Sequence, residues 1–242
     1  MQEWFFPVGV VLLGYCVLGV TGFGSALVIV PLLAWIWPLP EVVTLILLMD
    51  MLASAFHSGL NWRQVQWKEL LRLLPGMVLG TLAGLWLIGH VTSRWPLLLL
   101  GLYVAGVGLR ALHPGAHHKV LGGAWGHVYG TVLGVIEVMF GTAGPVVVAW
   151  LTRRLGDARL IRASVPMIMT VAAMTVLAGM ALEGRLTSPV LWQRWSVLMV
   201  VALVGVMFGH RLSHRLPVER LRQMICLLLV VSGGMLTTRA LM

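Results

Sequence analysis

Two carboxylates stand where carboxylates seldom stand. Asp50 lies in the apolar run 42–60 and Glu137 in the apolar region 125–151, while the rest of the eight acids sit nearer the ends of such runs. Placing an acidic side chain in hydrocarbon costs at least ~2.5 kcal/mol, so a carboxyl held there reads as functional. Glu137 comes one helical turn before the string Phe140-Gly-Thr-Ala-Gly-Pro145, and a similar string, Gly19-Val-Thr-Gly-Phe-Gly24, interrupts the apolar region 5–37. Each glycine inside a helix costs ~1 kcal/mol relative to alanine, so both strings read as deliberate breaks. Helices restart after them, at Ser25 and at Pro145, proline being favoured in a first turn. A helix start leaves N–H groups unsatisfied and carries about half a positive charge. Two such ends facing one cavity make an anion site without a buried arginine. Its expected members are Thr21, Gly22, Gly24 and Ser25 from one break and Gly141, Thr142 and Gly144 from the other. An ionised Glu137 would repel the anion and a protonated one would not. The chemistry expected is therefore a proton travelling with an anion, on Glu137 and secondarily on Asp50.

Other polar residues carry less. His57 follows Asp50 by seven positions, on one face of the same helix about two turns away, so a proton path is open beside the simpler reading of an interfacial histidine. Asn61 follows at the same end. Arg162 and Ser164 begin a later span and either gather anions or, for Arg162, join Arg153, Arg154 and Arg159 in obeying the charge rule of membrane loops. Thr170 and Thr175 are expected to bond their own helix backbone. His113, His117 and His118 have no acid or cysteine to complete a metal set, and Cys16 and Cys226 lie in apolar runs as small hydrophobes. No metal and no cofactor are expected. Trp35, Trp37, Trp62, Trp67, Trp95, Trp125, Trp150, Trp192 and Trp195 stand near segment ends, where a headgroup belt accounts for them.

The elements that must position these residues are membrane helices. The 242 residues are 59% hydrophobic and only 10% charged, against roughly 25% charged in a soluble domain. The net charge of +9 sits in short clusters between apolar runs, which argues for lipid headgroups and against nucleic acid. Six segments, 42–60, 73–90, 95–112, 164–182, 189–209 and 221–238, approach the roughly 20 residues a spanning helix needs. With no basic stretch or small-residue cleavage site before the first span, no cleaved signal peptide is expected.

The order of features repeats after 120–129 residues: Gly80-Thr-Leu-Ala-Gly84 corresponds to Gly205-Val-Met-Phe-Gly209, and Leu109-Arg-Ala-Leu112 to Thr238-Arg-Ala-Leu241. Glycines at four-residue spacing let backbones approach, so both segments are expected to pack on neighbouring helices. The chain divides into a first repeat, 1–112, a polar joint, 113–124, and a second repeat, 125–242. If each break is a hairpin returning to its starting side, thirteen basic residues share one face and only Arg94, Arg185, Arg194 and Arg239 take the other. That split follows the positive-inside rule and places both termini outside. Three full spans per half then invert the second repeat. The alternative, parallel repeats of four spans each, divides the basic residues nine to eight. The fold expected is all-α and polytopic, with two inverted repeats, each a glycine-tipped hairpin plus three spans. Paired broken helices of this kind point to a transporter's binding site.

The stretch Gly22-Phe-Gly-Ser-Ala-Leu-Val-Ile-Val-Pro-Leu-Leu33 resembles the signature of the TauE/SafE sulfite-exporter family. Gly141-Thr-Ala-Gly-Pro-Val-Val-Val148 is similar to its second copy, and Arg159-Leu-Ile-Arg-Ala-Ser164 to the segment that follows. Ser25-Ala26 replaces further glycine, Ala143 enters the second tip, and Pro31 has no counterpart near Trp150. The resemblance covers essentially the whole chain. It implies movement of sulfite, sulfonates or related sulfur-containing anions across a bacterial inner membrane. Partners are then the anion, protons and the bilayer, with the oligomeric state open. Rival readings are an uncoupled channel or uniporter, an intramembrane hydrolase built on Ser25, His57 and Asp50, and a structural subunit. Without a nucleotide-binding motif, a secondary carrier is the simplest.

Overall fold

The computed structural model describes residues 2–59, 62–90, 94–112, 122–155, 157–212 and 234. They form α1 (Gln2–Thr21), α2 (Ser25–Leu33), α3 (Leu39–Gly59), α4 (Trp67–His90), α5 (Arg94–Leu112), α6 (Trp125–Phe140), α7 (Gly144–Arg154), α8 (Ala158–Leu182) and α9 (Pro189–Leu212). A single 3-10 turn covers Trp62–Gln64, and no strand occurs among the described residues. Helices α1, α3, α4, α8 and α9 are long and apolar enough to cross a membrane, and α5 carries a shorter apolar stretch, Leu98–Val107. The protein is an all-α polytopic membrane protein. The expected span 221–238 apart from Gly234, Cys226, Asn61 and residues 113–121 of the joint lie outside the described residues.

Both helix breaks form at the glycine strings. Helix α1 stops where the Gly22 N–H bonds the Leu18 carbonyl at 2.7 Å, and α6 where the Gly141 N–H bonds the Glu137 carbonyl at 2.8 Å. Gly22 (φ 85°) and Gly141 (φ 62°) are left-handed there, a conformation costing other L-residues roughly 1–2 kcal/mol. The chain then doubles back. Gly14 of α1 lies against the Ile29 side chain and the Ser25 carbonyl of α2. Tyr129 of α6 meets Trp150 of α7 with ring centroids 5.3 Å apart. At 1.5 Å per residue, the nine residues of α2 and the eleven of α7 reach about 14 and 17 Å, half a bilayer core. Each break is therefore a hairpin whose returning arm is short.

Contacts between the helices give their relative directions. Thr44, early in α3, faces Met180 near the end of α8, while the Gln66 N–H beyond α3 bonds Ser164 near the start of α8, so α3 and α8 are antiparallel. Helix α9 runs parallel to α1, with Gly205 against Leu12 and Tyr15, Gly209 against Cys16, and Gly19 against Val206 and His210. Helix α6 runs parallel to α4, with Gly76 against His127, Gly80 against Thr131 and Gly84 against Val138. Both glycine pairs at four-residue spacing thus pack on neighbouring helices as expected. Most of these contacts meet backbone, so no side chain fits between. In lipid, where apolar surface gains little by leaving its surroundings, such close packing is what joins helices.

Candidate functional site

The two glycine tips meet. A Cβ on Gly144, the first residue of α7, would stand 3.0 Å from Cδ2 of Phe23 in the first tip. The first tip rests on α8, where Gly22 faces the Arg162 carbonyl and the Pro166 ring, and the second on α3, where Gly141 faces Val43 and Leu47. These are the fifth and ninth residues of α8 and of α3, so each tip lies inside a span rather than beyond its end.

Each returning arm begins beside an acid. Ser25, the first residue of α2, donates its hydroxyl to the Asp50 carboxylate, with Oδ1 at 2.8 Å and Oδ2 at 3.0 Å. Asp50 is buried midway along α3, and the buried Tyr15 hydroxyl faces it from α1 without closing a hydrogen bond of ordinary length. In the other hairpin, Glu137 is fully buried and its Oε2 accepts the Ala143 N–H at 2.8 Å. That amide belongs to the residue that caps α7, where N–H groups gather at the positive end of the helix. Glu137 Oε1 has no partner, and the two carboxylates are close enough to act on each other electrostatically. Tyr103 of α5 donates to the Thr142 carbonyl at 3.0 Å and stacks on Phe140, fixing the second tip from outside.

The expected site residues are distributed unequally over this centre. Gly22, Gly24, Ser25, Gly141, Thr142 and Gly144 all belong to the tips or the first residues of their returning arms, and the carboxyls of Asp50 and Glu137 bond to Ser25 and Ala143 there. The Thr21 hydroxyl turns back on its own chain, donating to the Val17 carbonyl at 2.8 Å and accepting the Phe23 N–H at 3.3 Å. Ser164 donates to the Leu160 carbonyl and accepts the Gln66 N–H, tying the loop before α4 to α8. Arg162 is exposed, with its carbonyl at the first tip. His57 is buried with its ring 6.0 Å from that of His210, and its Nε2 has no partner. It stands about 10 Å along α3 from Asp50 by helical rise, so the pairing of Ser25 with Asp50 does not extend to a histidine as a hydrolytic triad requires. Thr170 and Thr175 bond carbonyls of their own helix, as expected.

Two sequence readings are corrected here. Trp150, assigned to the headgroup belt, is fully buried and donates its indole N–H to Glu69 at 3.1 Å. It turns inward because the α7 arm returns into the protein. Glu69 is the third buried acid among the described residues, near the start of α4, and also pairs with Arg72 and with Arg154 at 3.3 Å. Its position near a basic cluster hid it. Tyr15, Tyr103 and Phe23 were also missed; a tyrosine inside an apolar run was the available signal for the first two.

A polytopic helical protein in which two glycine-tipped hairpins meet beside buried carboxylates has the build of a membrane transporter. The sulfite exporter TauE/SafE family matches residues 7–236, and the chain belongs to that family of membrane transporters. It is also similar to a probable inner membrane transporter protein, TsaS, of Comamonas testosteroni, with 44% identity over 194 residues that cover 80% of this chain and 81% of the other. No solved structure matches the chain.

Proposed function

We propose that the protein is a secondary carrier of sulfite or small organosulfonates in the bacterial inner membrane, binding its anion where the tips meet and moving a proton on Glu137. The observation that carries this reading is the Glu137 carboxylate on the Ala143 amide. That donor already holds an oxyanion, the protein's own. An incoming sulfur oxyanion competes for the same N–H, and a proton on Glu137 removes the repulsion between them. Gly144 adds no side chain of its own, so that Phe23 of the other tip is what an incoming anion has to move past, and Ser25 with Asp50 stands at the start of the other arm. The family supports the substrate class, and the name of the relative supports the inner membrane.

The opposite directions of α3 and α8 support two inverted repeats, 1–112 and 125–242, joined by 113–124. On this plan the thirteen clustered basic residues lie in the cytoplasm and both termini outside.

The test is flux of sulfite and methanesulfonate in proteoliposomes, with and without a pH gradient. Wild type is expected to respond to the gradient, Glu137→Gln to transport without responding, and Gly144→Trp, which displaces Phe23 from the junction of the tips, to lose transport. A wild-type flux indifferent to the gradient would refute the coupling and leave a uniporter or channel. Absence of flux for every sulfur-containing anion would refute the substrate class.

A further inference from the structure

A cavity of about 360 Å³ opens where α3 and α9 begin, away from the tips. Pro40, Glu41, Thr44, Leu45, Leu191 and Ser188 line it together with two arginines, Arg185 and Arg194. Glu41 in the lining and Glu183 beside it balance the two guanidiniums, so the charge there is neutral and an anion is attracted by the unused N–H donors and not by net charge. Arg194 Nη1 bonds Glu41 Oε2 at 2.8 Å, and its guanidinium lies over the Trp37 ring at 4.1 Å. Arg185 uses Nε on Glu183 at 2.7 Å. A guanidinium has five N–H donors in a planar fork, and each of these contacts engages only one. The remaining donors suit an oxyanion, and Ser188 adds a hydroxyl. Pro40, Leu45 and Leu191 make the rest of the wall apolar.

We infer that this cavity is a second anion site, an entrance vestibule for a small organic sulfonate. It holds the sulfonate head between Arg185 and Arg194 and the short tail against Leu45 and Leu191. Its volume falls in the range of small-molecule pockets and exceeds what a bare oxyanion needs. The cavity and the centre share α3: Thr44 and Leu45 line the cavity, while Val43 and Leu47 of the same turns lie against Gly141 of the second tip. Glu41 is the internal competitor, occupying Arg194 until a sulfonate displaces it. This role rests on the transport reading above, but binding to the cavity does not.

The experiment measures propanesulfonate transport in intact cells and in inverted membrane vesicles, so that the anion arrives from opposite faces. Arg185→Gln and Arg194→Gln each remove a charge-assisted contact and are expected to raise KM about tenfold in one orientation only. Glu41→Gln frees Arg194 and is expected to lower KM in that same orientation. A purely structural ion pair would make Glu41→Gln and Arg194→Gln shift together, and that result overturns the inference. Equal shifts from both faces, or none, also overturn it. If wild type moves no sulfonate in either orientation, the transport reading fails by itself. Calorimetry of propanesulfonate with the purified protein then decides the cavity: binding weakened by Arg194→Gln and strengthened by Glu41→Gln upholds it, and no binding to wild type overturns it.

Discussion

Replacing Gly80 by alanine tests how α4 and α6 are joined. An added Cβ would run into the backbone of Thr131, carbonyl oxygen first, and Gly76 is in the same position against His127. Backbone cannot rotate away as a side chain end can, so the helices must separate. Overpacking of this kind costs about 1–3 kcal/mol, and alanine returns up to ~1 kcal/mol of helix propensity. A backbone clash belongs at the upper end, leaving a net loss of about 2 kcal/mol. At roughly 2–4 °C per kcal/mol for a chain of this size, the melting temperature falls by about 4–8 °C. Gly89 on the same helix has nothing within 4 Å, so Gly89→Ala carries the propensity gain with no clash and is expected to be neutral or slightly stabilising. Thermal unfolding of the purified protein in detergent, followed by the fluorescence of its eleven tryptophans, reads both variants. Thr131→Ala is not expected to rescue Gly80→Ala, because the obstacle is main chain. Equal melting temperatures for Gly80→Ala and Gly89→Ala, or a rescue by Thr131→Ala, would refute the reasoning.

Three further outcomes follow from the centre. Gly141→Ala places a side chain at φ 62° and is expected to cost about 1–2 kcal/mol although nothing lies closer than 3.6 Å to its Cβ; thermal unfolding showing no loss would remove the left-handed cap as a determinant of the second tip. Ser25→Ala leaves the Asp50 carboxyl without its hydroxyl donor, a loss of about 1–3 kcal/mol, and Ser25→Thr should retain most of the stability if the hydroxyl is what matters. Trp150→Phe keeps an aromatic ring but loses half of the buried indole and the bond to the partly ion-paired Glu69, costing at least about 1–3 kcal/mol. A double variant with Glu69→Gln that loses as much as the two single changes added together would show that they do not interact.

Hydropathy, glycine spacing and buried acids are local properties, and they determined a good deal. The spans, the two breaks and the close-packing glycines at 80, 84, 205 and 209 could be read along the chain, because a helix in lipid must be apolar and a left-handed turn must be glycine. Asp50 and Glu137 were legible for the same reason: nothing hides a carboxyl in an apolar run. What packs on what was not legible. Glu41 and Arg194 lie 153 residues apart, and Trp150 and Glu69 lie 81 apart, and neither pair has a spacing that announces it. The tips read as open helix starts awaiting an anion, yet only the folded chain brings Glu137 onto the Ala143 amide and Phe23 onto Gly144. Sequence alone decided which segments are long and apolar enough to cross a membrane and where two of them break, since those follow from each segment's own transfer to lipid. Tertiary structure decided which donor meets which acid, since that depends on how whole helices settle against one another.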